Sequence, residues 1–425
     1  MPGGGMQGGG MPGAGILGGG MPGAGMPGGG IPGSGIPGGS IPGGGIHGGG
    51  IPGAGSSGGG YSSYSVGTGG CPGSGLSSGG IPGDSGHFGV GGGHNPIGSG
   101  SWCGGSYRGT IRPYPVFDAQ QDADALMKAM KGLGTDEDTI IHILCSRNND
   151  QRMKIVDAYR QAFGSDLRGD IKSELRGKLE DVMVGLLYPT HEYLAMECRR
   201  AIQGLGTDED ALIEILCTRS NAEIKAVKEA YSRIYNGSSL EHDIVGDTSG
   251  ALRHILVSMC NASRQEDVPL DPERAKQDAI MLRQAGVGRY GTDESAFNSV
   301  IATQSFEQLK LVFHEYQALN GETIVEAIAR EMSGDLKDAF FAIAKCVFDV
   351  QYYFAEKLHK AMKGVGTANK TLIRIIVSRC EIDLVEIKEE YLRHFKLDLA
   401  SAVQVCSVCS HYTGSYAVWC KCNVL

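Results

Sequence analysis

Beyond residue 108 the hydrophobic positions fall on a helical period. In "DADALMKAMKG" (122–132), Ala123, Leu126, Met127 and Met130 share one face, and Gly132 stops the run. After the Gly-x-Gly that follows, Thr135 is placed to cap a new helix. Asp136, Glu137 and Asp138 suit its first turn, and Ile140, Ile143 and Leu144 continue the apolar stripe. A third amphipathic run, "QRMKIVDAYRQAF", then "DLRGDIKSEL" and "KLEDVMVGLLY", bring the unit to about five helices. No stretch alternates with the period of two that strands require, so the pattern predicts an all-α body.

The same pattern returns. "KGLGTDEDTIIHILCSR" at 131–147 is matched closely by "QGLGTDEDALIEILCTR" at 203–219 and more loosely by "GRYGTDESAFNSVIATQ" at 288–304 and "KGVGTANKTLIRIIVSR" at 363–379. The second glycine of each copy falls at Gly134, Gly206, Gly291 and Gly366, at intervals of 72, 85 and 75 residues. Four copies of one helical unit therefore fill the body.

The first hundred residues have no such period. From Met1 to Gly55 Met or Ile stands at every fifth position, usually followed by Pro-Gly, as in "MPGAGMPGGGIPGSG". Pro-Gly pairs suit type II turns. One modest apolar side chain per five residues buries too little surface to offset ordering the backbone, about 1–2 kcal/mol per residue. The tail is expected to be disordered. Asp84 is the only charged residue before Arg108, so charge does not hold tails apart. The pentapeptide resembles that of elastin, which implies reversible self-association; a passive spacer is the other reading.

The remaining 318 residues hold all 38 Lys and Arg and 46 of the 47 acids, a net charge of about −8. A mildly acidic body argues against nucleic acid as a partner. It also suits an anionic membrane poorly unless something reverses the local charge. The N-terminus lacks the basic region and apolar core of a signal peptide, and no run reaches the ~20 apolar residues that span a bilayer. Cys145, Cys198, Cys217, Cys260 and Cys346 sit within apolar patterns, as reduced core thiols of a cytosolic protein do.

Four repeats carrying "GLGTDE", the later "SELRG" and "GDTSG", and the opening "GTIRPYPVFDAQQDA" resemble the annexin family over roughly residues 109–400. The Gly/Pro-rich tail is similar to that of its long-tailed members. The repeats so delimited are 109–187, 188–262, 263–348 and 349–425, after a tail at 1–108. The resemblance implies Ca²⁺ as cofactor, and the motif suits that chemistry. Ca²⁺ takes about 6–8 oxygen ligands, backbone carbonyls among them. A Gly-x-Gly between helices can turn tightly enough to supply several, and one carboxylate from a later loop can close the site.

By position, the resemblance assigns the carbonyls of Met130, Gly132 and Gly134 with Glu174 to the first site, and Ile202, Gly204 and Gly206 with Asp247 to the second. The third takes Gly286, Arg289 and Gly291 with Glu331. The acids follow the last glycine by 40, 41 and 40 residues. A single Gly-x-Gly would read as a helix C-cap; three correctly spaced pairs do not. In the fourth copy "GTANK" replaces the acidic start, and the same count from Gly366 reaches Cys406, so the loop at Met362, Gly364 and Gly366 lacks its carboxylate. The last two helices of this repeat are not legible after Ala400, and the repeat reads as incomplete. Cys406, Cys409, Cys420 and Cys422 are spaced poorly for zinc.

The resemblance further implies a polar centre at Glu197, Glu214, Arg219 and Arg374, read as repeat packing rather than an ion path because Leu194 stands where family members often add an acid. Tyr290 could dip into lipid. The function so implied is Ca²⁺-dependent binding to anionic phospholipid membranes, without enzymatic activity, by a protein that is cytoplasmic at rest. The tail would tether vesicles, self-associate or bind EF-hand-type protein partners. The rival is a structural protein whose elastin-like tail is its main element; a hydrolase finds no Ser-His-Asp pattern around His142 or His254.

Overall fold

The computed structural model describes residues 108–132, 134–204, 206–286, 293–363 and 367–408, without the side chains of 405–408. The pentapeptide tail, Tyr290 and the cysteines after 408 lie outside these residues. Nineteen helices make up the described chain, with one isolated bridge between Gln265 and Gln304 and no strand among the described residues. The first group is α1 (Ala119–Met130), α2 (Glu137–Ser146), α3 (Asn149–Phe163), α4 (Leu167–Glu174) and α5 (Gly177–Leu186). The second is α6 (Thr190–Ile202), α7 (Glu209–Cys217), α8 (Asn221–Ile234), α9 (Leu240–Asp247) and α10 (Gly250–Cys260). The third is α11 (Pro272–Gly286), α12 (Glu294–Ile301), α13 (Phe306–Asn320), α14 (Ile324–Glu331) and α15 (Gly334–Phe348). The fourth is α16 (Val350–Met362), α17 (Asn369–Arg379), α18 (Leu384–Phe395) and α19 (Leu399–Val408).

Each group packs its first helix on its third: α1 on α3, α6 on α8, α11 on α13 and α16 on α18. The predicted stripe of α1 is largely core, with Ala123, Leu126 and Met130 buried and Met127 half-buried. Each fully buried Leu or Ile contributes about 1.5–3 kcal/mol. The third helices begin on polar caps. Asn148 with Gln151 and Ser220 with Glu223 form capping boxes that satisfy the first amides of α3 and α8. Between groups, α17 meets α5 and α6, while α15 meets α7 and α10. The six cysteines whose side chains are described are free and buried. Burial pushes the thiols of Cys217 and Cys380 up to about 12 and that of Cys260 to about 11, so they behave as inert core groups. No described helix is long and apolar enough to cross a membrane.

Two sequence expectations need correcting. The cap of α2 is Asp136, whose side chain accepts from the Thr139 amide, and not Thr135. The fourth repeat also carries a fourth helix that the sequence reading left unread: α19 buries Leu399, Ala402 and Val403 at helical spacing.

Arg108, assigned to the tail from the sequence, is fastened to the body. Its guanidinium pairs with Glu386 (3.0 Å) and Glu389 (2.7 Å), and its carbonyl accepts from the Val385 amide (3.2 Å). Three residues on, the Ile111 amide donates to the Cys380 carbonyl (3.1 Å). Gly109 makes this approach feasible, because a Cβ there would lie 2.5 Å from the Glu381 carbonyl carbon. Gly109→Ala should therefore lift the strap at a cost of about 1–3 kcal/mol, as overpacking does. Trypsin should then cut faster after Arg108; an unchanged cleavage rate there would contradict the contact.

Candidate metal centre

The loop after the first helix is closed by one backbone bond in all four groups. The Asp136 amide donates to Ala129 O (2.8 Å), Asp208 to Ala201 (2.8 Å), Asp293 to Ala285 (2.9 Å) and Ala368 to Ala361 (2.8 Å). The third closure spans one residue more than the others, which sets that loop apart. Gly132 and Gly134 have φ of 121° and 91°, and Gly204 and Gly206 have φ of 131° and 88°. Only Gly adopts these angles freely. Nothing lies within 4 Å of where their Cβ atoms would stand, so glycine is required here by backbone direction rather than by space.

The distant carboxylates arrive at these loops. Glu174 is the last residue of α4, and Thr135 Oγ1 donates to its Oε2 at 2.6 Å. Asp247 is the last residue of α9, and Thr207 Oγ1 donates to its Oδ2 at 2.6 Å. The structure thus gathers Met130, Gly132, Gly134 and Glu174 about one loop, and Ile202, Gly204, Gly206 and Asp247 about the other. The two threonines were missed as site residues. Their signal is the Thr that follows the second glycine in each copy.

In the third group Gly286 ends α11, and a Cβ on it would lie 3.7 Å from Glu331 Cγ, so this acid also reaches its loop. Arg289 and Gly291 lie outside the described residues. Glu331 differs from its counterparts in pairing with Arg330 at 2.9 Å. Hydrogen bonds to Glu322 and Glu331 raise the pKa of that guanidinium. The helix bearing the acid is also tied down differently. Tyr159 Oη donates to Asp170 (2.7 Å) and Tyr231 Oη to Asp243 (2.6 Å), but Ala327 stands at the third equivalent position and Tyr316 Oη is buried without a partner. In the fourth group Met362 ends α16, Gly364 and Gly366 lie outside the described residues, and Ala368 caps α17 without a side-chain bond.

Among the described residues no group of three or more His, Cys, Asp and Glu is placed to hold a metal. A cation at these loops would rest on carbonyl oxygens and one carboxylate, a hard-oxygen set that fits Ca²⁺ and not a thiolate metal.

The sequence model of the Annexin family matches residues 121–186, 193–259, 277–343 and 353–412. The chain is an annexin. Among curated relatives it is 50% identical to Annexin A13 of Mus musculus, over 68% of this chain and 90% of that one. It is 46% identical to Annexin A5 of Macaca fascicularis, over 70% and 92%. Among solved structures, annexin III superposes with a TM-score of 0.71 at 42% identity, covering 76% of this chain and 98% of its own. A calcium-bound annexin (Sm)1 superposes at 0.66 and 32%, covering 75% and 93%. Annexins bind Ca²⁺ and, with it, phospholipid membranes; the homologues are generally membrane-binding proteins rather than enzymes.

The polar centre of this annexin joins helices of its second and fourth groups. Arg374 Nε and Nη2 donate to the two oxygens of Glu214 at 2.9 and 2.7 Å, with both side chains essentially inaccessible, and so join α17 to α7. Burial alone would lower the Arg374 pKa, and the Glu214 carboxylate raises it above the ordinary value. Arg219 Nη1 donates to the carbonyls of Glu214 and Ile215, both at 3.1 Å. Glu197 pairs instead with Arg200 at 2.5 Å, and Leu194 is buried.

Proposed function

We propose that this chain binds anionic phospholipid surfaces when Ca²⁺ rises, resting in the cytoplasm otherwise, through the first three loops. The carbonyls of Met130, Gly132 and Gly134 with Glu174, of Ile202, Gly204 and Gly206 with Asp247, and of Gly286, Arg289 and Gly291 with Glu331 would hold the ion. The observation that carries the reading is the bond from Thr135 to Glu174 and its repeat from Thr207 to Asp247, which hold each carboxylate against its glycine loop. Bound Ca²⁺ supplies positive charge and open coordination positions for lipid phosphate. The chain's own part is to keep the carbonyl-bearing loops preformed and the carboxylates in reach. An acidic body that repels an anionic surface is thereby joined to it.

The tail, residues 1–107, would act after docking. Many weak pentapeptide contacts concentrated on a membrane give tethering by multivalency, or a platform for EF-hand-type partners. Co-sedimentation with phosphatidylserine vesicles tests both parts. The full chain and a chain starting at Arg108 should both sediment with Ca²⁺ and remain in solution with EGTA, and only the full chain should cluster vesicles, more so on warming. Equal clustering by the two removes the tail's role. Loss of Ca²⁺-dependent sedimentation in the shortened chain would favour the structural reading, in which the tail is the main element.

A further inference from the structure

In the second group three side chains converge beside the helix that bears the carboxylate. Tyr231 Oη donates to Asp243 Oδ2 (2.6 Å), and Arg199 Nη1 donates to the same oxygen (2.8 Å) and to the phenol (3.1 Å). The first group keeps the tyrosine and the acid, Tyr159 and Asp170 at 2.7 Å, with Met127 Sδ in the arginine's place at 3.8 Å. Counted back from the loop residues Gly286 and Glu331, the third group has Arg283, Tyr316 and Ala327 at these positions. Both donors are retained there and the acceptor is deleted.

The deletion leaves a mark. Tyr316 has no solvent exposure, and its Oη has no partner among the described residues. Buried polar atoms are paired in the great majority of cases, so this orphan points to a ligand. Arg283 is exposed, and among the described residues no carboxylate pairs with it. Burial first, and then Glu322, raises the Tyr316 pKa, while Arg330 and Arg283 oppose the rise, so the phenol stays a donor at neutral pH. The acids close by are already engaged, since Arg330 pairs with both Glu322 and Glu331, the latter at 2.9 Å. A hydroxyl donor beside a guanidinium calls for an anionic acceptor, to which hydrogen bonds are roughly twice as strong as to a neutral one.

We propose that a small monovalent anion, chloride or a carboxylate of formate size, binds between Tyr316 Oη and the Arg283 guanidinium, where the second group places the Asp243 carboxylate. Asp exceeds Ala by one carboxylate, so an anion of that size replaces what the sequence lacks. Ala327 stands four residues before Glu331, about 6 Å along α14. An anion at this turn ties α14 to α11 and α13, as Asp243 ties α9 to α6 and α8, and so steadies the acid of the third loop. This coupling rests on the Ca²⁺-dependent reading above; the anion site itself does not.

The test unfolds the full chain in urea and EGTA with sodium chloride, sodium formate or sodium morpholinoethanesulfonate at equal ionic strength. The bulky sulfonate is too large to replace one carboxylate. Chloride and formate should raise the parent's urea midpoint above its value in the sulfonate, and the rise should saturate. Tyr316→Phe removes only an unpartnered hydroxyl, so it should match the parent in the sulfonate and lose the response to the small anions. Ala327→Asp builds the carboxylate in, and should show the raised midpoint in all three salts. The same salt response in the parent and in Tyr316→Phe would overturn the site. So would a crystal grown in bromide that shows ordered water at Tyr316 Oη and no anomalous peak. A bromide peak without a difference between the midpoints would mark an adventitious ion only, and overturn it too. Calorimetry on chains carrying Glu174→Gln and Asp247→Asn then isolates the third loop. Formate in place of the sulfonate should lower the Ca²⁺ that half-fills it by about fivefold, the lower end of ordinary coupling between bound groups, and change nothing once Ala327→Asp is added. No shift would overturn the coupling. Failure of the calcium reading would look different, with no Ca²⁺ bound in any salt and the urea response intact.

Discussion

Replacing Glu174 by Gln, Asp247 by Asn and Glu331 by Gln in one chain will raise the Ca²⁺ concentration needed for half-maximal vesicle binding by on the order of 10- to 100-fold, the loss that removing even an outer partner of a metal site brings. Each change removes an anionic ligand and keeps its shape. The amide oxygens introduced at positions 174 and 247 can still accept from Thr135 and Thr207, so the carboxylate's structural bond has a substitute and far-UV helicity should not change. The third site should contribute least to the loss, because Arg330 already pairs with Glu331 and competes with a cation there. A triple variant that binds vesicles at the parent's Ca²⁺ concentration would contradict the assignment of all three acids.

The largest effect on stability is expected at the core pair. Arg374→Met leaves the carboxylate of Glu214, which has no solvent exposure, with Lys357 Nζ at 3.6 Å as its remaining ion-pair partner. Removing one partner of a buried ion pair costs about 3–5 kcal/mol, since the other charge is stranded without water. The urea midpoint should fall accordingly. Glu214→Leu combined with Arg374→Met should recover most of the loss, because replacing both charges with apolar groups is often neutral. A single variant as stable as the parent would show that water reaches the pair.

Much of this was legible in the sequence because the apolar stripes keep a strict helical period. Leu126, Ile140 and Ile155 are fully buried members of three such stripes. The loops were legible for a different reason: a glycine pair at positive φ has few substitutes, so backbone geometry is written directly into residue type. Thr135 was misassigned because Thr and Asp both make good caps and stand side by side; the hydroxyl goes to Glu174, a partner 39 residues away that no local rule reveals. The same holds for Arg330 beside Glu331, where the sequence shows neighbours but not that one neutralises the other. In α19, Leu399, Ala402 and Val403 carried the ordinary period, but the cluster of cysteines that follows drew the reading away from it.

The most direct test of the central claim is the position of metal in crystals soaked in Ca²⁺, read by anomalous scattering. The account predicts ions at Gly132–Gly134 with Glu174, at Gly204–Gly206 with Asp247 and at Gly286–Gly291 with Glu331, and none at Met362–Gly366, where a thiol at Cys406 replaces the carboxylate and Ala368 replaces the acidic cap. Metal absent from the first two loops, or a well-ordered ion in the fourth closed by a carboxylate from elsewhere in the chain, would contradict it.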